Sequence, residues 1–369
     1  MSFLWRLPPS VRSLLVSNCR RYSSQVAPRT VRPLRILFAG ADEFSIHSLR
    51  ALVAAQKEDS NLIESIDVLH KAEKLAGRGL KHLKKVAIES VASNELKLPI
   101  HPTQNLKGWF PPNNKEFDLI IAVSFGLFIP EHLIDSTTYG GINVHPSLLP
   151  DLRGPAPIHH TLLLRRPATG ISIQSLDRFA FDRGKIIVQT PSPGIPVTSD
   201  DSIASLTDSL GSLGGEMLVD VLKRKAYLPP YEDQGWYAAS GGPIDYAPKI
   251  DKEDSKVNIY TTPSEEILYK HKVLGDLWCI LPYKHQRIIL NKVSLLSEKD
   301  DIDREPGFIN PGQYKKLHAR TIDGALLDIE ETTVDGGKKK HGNAHVKRQL
   351  NDLAVKSQRT AEKAQQESE

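Results

Sequence analysis

Leu34-Arg35-Ile36-Leu37-Phe38-Ala39-Gly40 is an apolar run closed by a glycine, the pattern of a buried strand feeding a turn. The period then changes. Phe44, Ile46, Leu49, Leu52 and Val53 lie at helical spacing, which predicts a helix over residues 44–54. A second strand is expected at 62–69, a helix at 83–91, and further apolar strands at 118–123 and 141–144. Strands alternating with helices place the chain in the α/β class, with a parallel-type, doubly wound, Rossmann-like sheet. Such sheets bind ligands beyond the carboxyl ends of their strands.

Two more β-rich runs, 170–176 and 185–190, flank a turn at 177–184. A Pro-rich exit follows at 191–196. Ser199 or Asp200 is placed to cap a helix over 201–225, with Ile203, Leu206, Leu210, Leu213, Met217 and Val221 on its inner face. One domain is therefore expected at 34–226. Residues 227–245, rich in Pro, Gly, Tyr and Ser, read as a linker. Short β runs at 287–290, 293–296, 307–309, 319–322 and 325–329 predict a smaller, OB-like β-barrel within 246–335. The Lys-rich stretch 336–369 has no aromatic residue and reads as a basic tail, disordered or at most a solvated helix.

The 369 residues are 40% hydrophobic and 25% charged, an ordinary globular composition long enough for two cores. No stretch approaches the roughly 18 apolar residues that span a bilayer, so no membrane partner is expected. The first acidic residue is Asp42. Before it stand Arg6, Arg12, Arg20, Arg21, Arg29, Arg32 and Arg35 without a lysine. This Arg- and Ser-rich start reads as a mitochondrial transit peptide over 1–28, which points to the matrix; the alternative is a basic arm that stays attached. Losing Arg6, Arg12, Arg20 and Arg21 lowers the 48 basic residues to 44, level with the 44 acidic ones. Binding to a polyanion must then come from local patches. Of the two cysteines, Cys19 lies in the presequence and Cys279 lies among apolar neighbours, so Cys279 reads as core and no disulfide is expected. No Cys/His cluster has zinc-ligand spacing, and no metal is expected.

The chemistry concentrates in Gly141-Ile-Asn143-Val-His145-Pro146-Ser147-Leu148-Leu149-Pro150-Asp-Leu-Arg153-Gly154. Asn143 and His145 are two residues apart on a strand and so share a face. An amide can donate to a developing oxyanion, and an imidazole can exchange a proton near neutral pH. Asp182, in the turn between the next two β runs, is a candidate partner to orient the imidazole. Ser147 lacks a nucleophile-elbow context, which favours direct transfer through a tetrahedral intermediate. On residue types alone, a structural role for the pair stays open.

These segments resemble the folate-dependent formyltransferase family, in particular its mitochondrial methionyl-tRNA branch. The resemblance rests on residues 35–44, on Val123-Ser-Phe125-Gly126-Leu127-Phe128-Ile129-Pro130, on 143–150 with 153–158, on Thr169-Gly-Ile-Ser-Ile173 and on Phe181-Asp182-Arg-Gly184. It extends well over 34–225 and weakly beyond. It implies transfer of a formyl group from 10-formyltetrahydrofolate to the amino group of initiator methionyl-tRNA. Asn143, His145 and Asp182 would be catalytic. Phe125, Gly126, Leu127, Phe128, Ile129 and Pro130, with Ser147, Leu148, Leu149 and Pro150, would hold the folate.

The acceptor depends on other segments. The basic stretch His70-Lys71 to Lys84-Lys85 carries a Gly77-Arg78-Gly79 tip. The resemblance makes it the loop that enters the tRNA acceptor stem, with Arg78, Lys81, Lys84, Lys85 and Arg153 as contacts. A solvated charge run is the plain alternative, and Val68-Leu-His-Lys71 departs from the family's Gln-Pro-Asp. The C-terminal domain would dock tRNA. A glycinamide ribonucleotide formyltransferase normally lacks it, and a formyltetrahydrofolate hydrolase normally carries an N-terminal domain absent here. An RNA-binding protein without catalysis is the third alternative. A monomer is expected, with no DNA partner.

Overall fold

The computed structural model describes residues 32–76, 82–84, 86–281, 286–297, 305–309 and 316–366. The chain divides into two compact units, Met1–Lys249 and Ile250–Glu369.

In the first unit a seven-stranded sheet has the order β10-β9-β7-β6-β1-β2-β5. Its strands are β1 (Leu34–Gly40), β2 (Ile63–Lys71), β5 (Ile100–Thr103), β6 (Leu119–Val123), β7 (Gly141–His145), β9 (Ser172–Ser175) and β10 (Ile186–Gln189). The first five are parallel, whereas β7–β9 and β9–β10 pair antiparallel. The apolar runs are buried on both faces, as continuous hydrophobic strands require: Ile36, Phe38, Leu119, Ile121 and Ile142 have no exposed surface. Helix α1 (Glu43–Glu58) begins at Asp42, whose carboxylate accepts the Ser45 N–H.

The expected helix at 83–91 starts later. Residues 82–84 form β4 (His82–Lys84), paired with β3 (Lys74–Ala76), and helix α2 (Ala87–Ser90) continues through a π turn to Glu95. Two short helices, α3 (Glu131–Asp135) and α4 (Pro157–Leu163), follow β6 and β7. A small ribbon pairs β8 (Ala168–Thr169) with β11 (Ile195–Pro196).

Helix α5 (Ile203–Lys223) is capped by Ser202, in a reciprocal bond with Ser205, rather than by Ser199 or Asp200. Its buried face runs through Leu206, Leu210, Gly214, Leu218 and Val221. The glycines serve a close helix approach: a Cβ on Gly215 would lie 2.9 Å from the Cβ of Ala51 on α1.

Residues 227–245, expected as a linker, pack on this unit. Tyr227 is 2% exposed. The Gln234 N–H donates to the Ile186 carbonyl at 2.7 Å, and the Trp236 indole donates to the Thr190 carbonyl at 2.7 Å. The division at 249/250 also assigns 246–249 to the first unit, not to the second domain as expected.

The second unit holds α6 (Ser264–Leu274) and an antiparallel sheet ordered β12-β13-β16-β15-β14. These strands are β12 (Leu277–Ile280), β13 (Arg287–Ser297), β16 (Leu326–Val334), β15 (His318–Arg320) and β14 (Gly307–Phe308). They form a half-barrel around Ile288, Leu290, Leu317, Leu327 and Ile329. The two runs at 287–290 and 293–296 are one strand, irregular in register at Lys292. The tail is not disordered throughout: α7 (Asn343–Gln366) inserts Val346 and Leu350 into this core.

Candidate active site

β7 carries Asn143 and His145 on one face, and β9 lies antiparallel beside it with Gln174 opposite Asn143 and Ser172 opposite His145. The chain leaves β7 through a turn held by buried polar groups. The Ser172 hydroxyl donates to the Ser147 carbonyl at 2.7 Å and accepts the Leu149 N–H at 3.0 Å. Arg166 grips Asp151 through Nε and Nη2, at 2.9 and 3.0 Å, and also pairs with Asp245. This turn brings Gly154 back to the strand end at φ +118°.

Asp182 is the hub. It holds φ +54°, a conformation that a short polar side chain tolerates better than most. Its Oδ1 accepts from Gln174 Nε2 at 3.1 Å and from Asn143 Nδ2 at 3.4 Å, and lies 3.5 Å from His145 Nδ1. Its Oδ2 accepts the Gly154 N–H at 2.9 Å, and its carbonyl accepts Arg153 Nε at 2.8 Å. The far nitrogen of His145, Nε2, lies 3.0 Å from the Leu152 carbonyl. A carbonyl only accepts, so Nε2 carries the hydrogen, a tautomer assigned from this network. Nδ1 faces the Asp182 carboxylate.

The trio borders a cavity of about 640 Å³, within the range of small-molecule sites. Phe125, Gly126, Leu127, Phe128 and Ile129 line it. Ser124 (φ +47°) and Gly126 (φ +69°) turn this loop, and Phe128 meets Phe181 edge-to-face at 5.2 Å. Asp42 and His159 also line the cavity. Burial pushes the Asp42 carboxyl up, against hydrogen bonds from Ser45 and Ser124, and burial pushes His159 down.

Five of the expected folate residues do not line it. Pro130 starts α3. Leu148 and Leu149 are 3% and 2% exposed and point into the core. The Ser147 hydroxyl is committed to the Asp151 carbonyl at 2.7 Å, and Pro150 belongs to the same turn. Arg153, expected on tRNA, donates its Nε to the Asp182 carbonyl. Arg78, Lys81 and Lys85 lie outside the described residues, and of Lys84 only the backbone on β4 is described. Sequence reading missed Gln174, the Gly154 amide, Asp42 and Ser124. A glutamine in an apolar strand was the one available signal among them. No group of three or more His, Cys, Asp or Glu among the described residues could hold a metal ion.

Residues 34–222 match the family model for formyl transferases. The chain is 36% identical over 246 residues to mitochondrial methionyl-tRNA formyltransferase of Mus musculus, covering 66% of this chain and 58% of that protein. It is 33% identical over 298 residues to the mitochondrial enzyme of Saccharomyces cerevisiae, covering 71% and 73%. It is 36% identical over 302 residues to methionyl-tRNA formyltransferase of Ehrlichia chaffeensis, covering 80% and 91%. The match thus spans less than two thirds of the mouse protein. In fold it is similar to the N-formyltransferase of Helicobacter canadensis, solved with folinic acid and dTDP-3-aminofucose, with a TM-score of 0.50 at 16% identity over 80% of this chain and 98% of that one. The family match over about half of the chain and the 36% identity to a relative covered over 91% of its length agree: this chain belongs to the formyl transferase family.

Proposed function

We propose that this chain transfers the formyl group of 10-formyltetrahydrofolate to the free amino group of initiator methionyl-tRNA, as a monomer in the mitochondrial matrix. The observation that carries the reaction type is the convergence of Asn143, His145 and Gln174 on the Asp182 carboxylate at a cavity edge. The apolar walls from Phe125 to Ile129, with turned backbone beside them, suit a flat heterocycle that needs both apolar cover and backbone partners. A neutral amine attacks the formyl carbon. Asn143 Nδ2 donates to the oxygen that becomes negative. His145 Nδ1 takes a proton from the nitrogen, and Asp182 Oδ1 stabilises the imidazolium so formed. That proton returns to the departing folate nitrogen as the tetrahedral centre collapses. Folate serves as a co-substrate, and the chemistry requires no metal.

The acceptor rests on the named relatives, on the second unit and on the basic loop with Arg78, Lys81, Lys84 and Lys85. The test incubates the purified chain with 10-formyltetrahydrofolate, with and without charged initiator methionyl-tRNA. Formylated methionine on the tRNA is the expected product. Formate released equally without tRNA would make the protein a hydrolase, and no product in either tube would end the proposal.

A further inference from the structure

Gln174 lies directly across from Asn143 on the neighbouring strand and is 1% exposed. Its side chain borders the cavity. Its Nε2 donates at 3.1 Å to the same Asp182 oxygen that Asn143 reaches at 3.4 Å. Its Oε1 is buried and has no hydrogen-bond partner. The opposite amide assignment would set Oε1 against the carboxylate, two acceptors in contact. A buried carbonyl without a donor is unfavourable unless a bound group supplies one.

We propose that Gln174 is a positioning residue that holds Asp182 while Asn143 turns to the oxyanion, and that its Oε1 accepts one N–H of the attacking amine. This rests on the formyl-transfer reading above. Two amides share one carboxylate oxygen, and the Asn143 bond is the longer and weaker of them. Asn143 Nδ2 carries two N–H groups, and turning one to the oxyanion draws the amide from its already long contact with Asp182. With Gln174 on Oδ1 and the Gly154 N–H on Oδ2, the carboxylate keeps its orientation toward His145 Nδ1. An acceptor for one N–H fixes the rotation of the amine, so that its lone pair faces the formyl carbon.

The experiment is steady-state formyl transfer by the full chain and by Gln174→Met, Gln174→Glu and Gln174→His. Met removes both polar groups at similar length. Glu keeps the shape but replaces the donor with a second negative charge beside Asp182. His retains one donor and one acceptor. The expected result is a kcat lowered about 10- to 100-fold in Met and further in Glu, partly restored in His. The KM for 10-formyltetrahydrofolate stays near the wild-type value in all three. A wild-type kcat in Met or Glu overturns the proposal. So does a folate KM that rises in step with the loss, which would make Gln174 a folate-binding side chain. A Met or Glu variant that does not fold leaves the decision to His, whose kcat must then lie between that of the wild type and no turnover at unchanged folate KM, any other value overturning the proposal. No transfer by the wild-type chain would instead overturn the functional reading itself.

Discussion

At the scale of single residues, Asp182 has two tasks: its carboxylate collects the donors of the site and its carbonyl anchors Arg153. We predict that His145→Ala or Asp182→Ala lowers turnover by roughly 100-fold or more, the usual loss for a general acid/base unit. Binding of tRNA, measured by filter retention or anisotropy, should stay close to wild type; a parallel loss of tRNA binding would show that the substitution disrupts more than the chemistry. Gly154→Ala should impair the site without touching a catalytic side chain. Its φ of +118° disfavours a side chain, and the new Cβ would lie 2.5 Å from the Ala247 carbonyl. The Gly154 N–H then leaves Asp182, and kcat falls while folate KM holds; equal kcat would show that this amide is dispensable. Asn143 and His145 were legible because strand alternation fixes which side chains share a face. The burial of Ser147, Leu148 and Leu149 was not legible, because nearness in sequence to a strand end does not say where the turn after it sends its side chains. Gln174 was passed over because its partner Asp182 meets it through antiparallel pairing that local pattern does not reveal.

At the scale of elements, β1 and β6 are locked at their amino ends by Asp118, whose side chain has no exposed surface. Burial alone would raise its carboxyl. Hydrogen bonds from Arg35, Arg32 and Thr138 outweigh that and hold it well below the usual carboxylate range. A depressed folded-state value means that this stabilisation is complete above the unfolded value of about 4 and is lost progressively as pH falls below it. Asp118→Asn should therefore destabilise the first unit by about 3 kcal/mol near neutral pH, since it leaves Arg35 only the exposed Glu116 as a charge partner. In urea melts the gap to wild type should narrow below about pH 4; a gap independent of pH would assign the loss to packing. The strands themselves were legible, since apolar runs such as 118–123 admit few other structures. Glycine blurred the rest. Gly214 and Gly215 sit on the buried face of α5, where a hydrophobicity pattern looks for large side chains, so Leu213 and Met217 were placed inward although both are only partly buried.

At the scale of the whole molecule, two units with separate cores make separate folding expected. A chain ending at residue 249 should give a cooperative melt of its own, and removal of α7 should lower only the second transition, because Val346 and Leu350 leave that core. Calorimetry decides this, and a single shared transition would contradict it. The division itself was misjudged in the sequence. Residues rich in Pro, Gly and Tyr look like a free connector, yet their backbone is bonded to β10 and the Trp236 indole to Thr190 just beyond it. That attachment has a bearing on solubility. β10 is the outer strand of the sheet, and an uncovered outer strand offers a row of unsatisfied amides and carbonyls to any neighbouring chain. The Gln234 N–H occupies one carbonyl of that row, so a fragment cut at 226 should self-associate more readily than a fragment cut at 249.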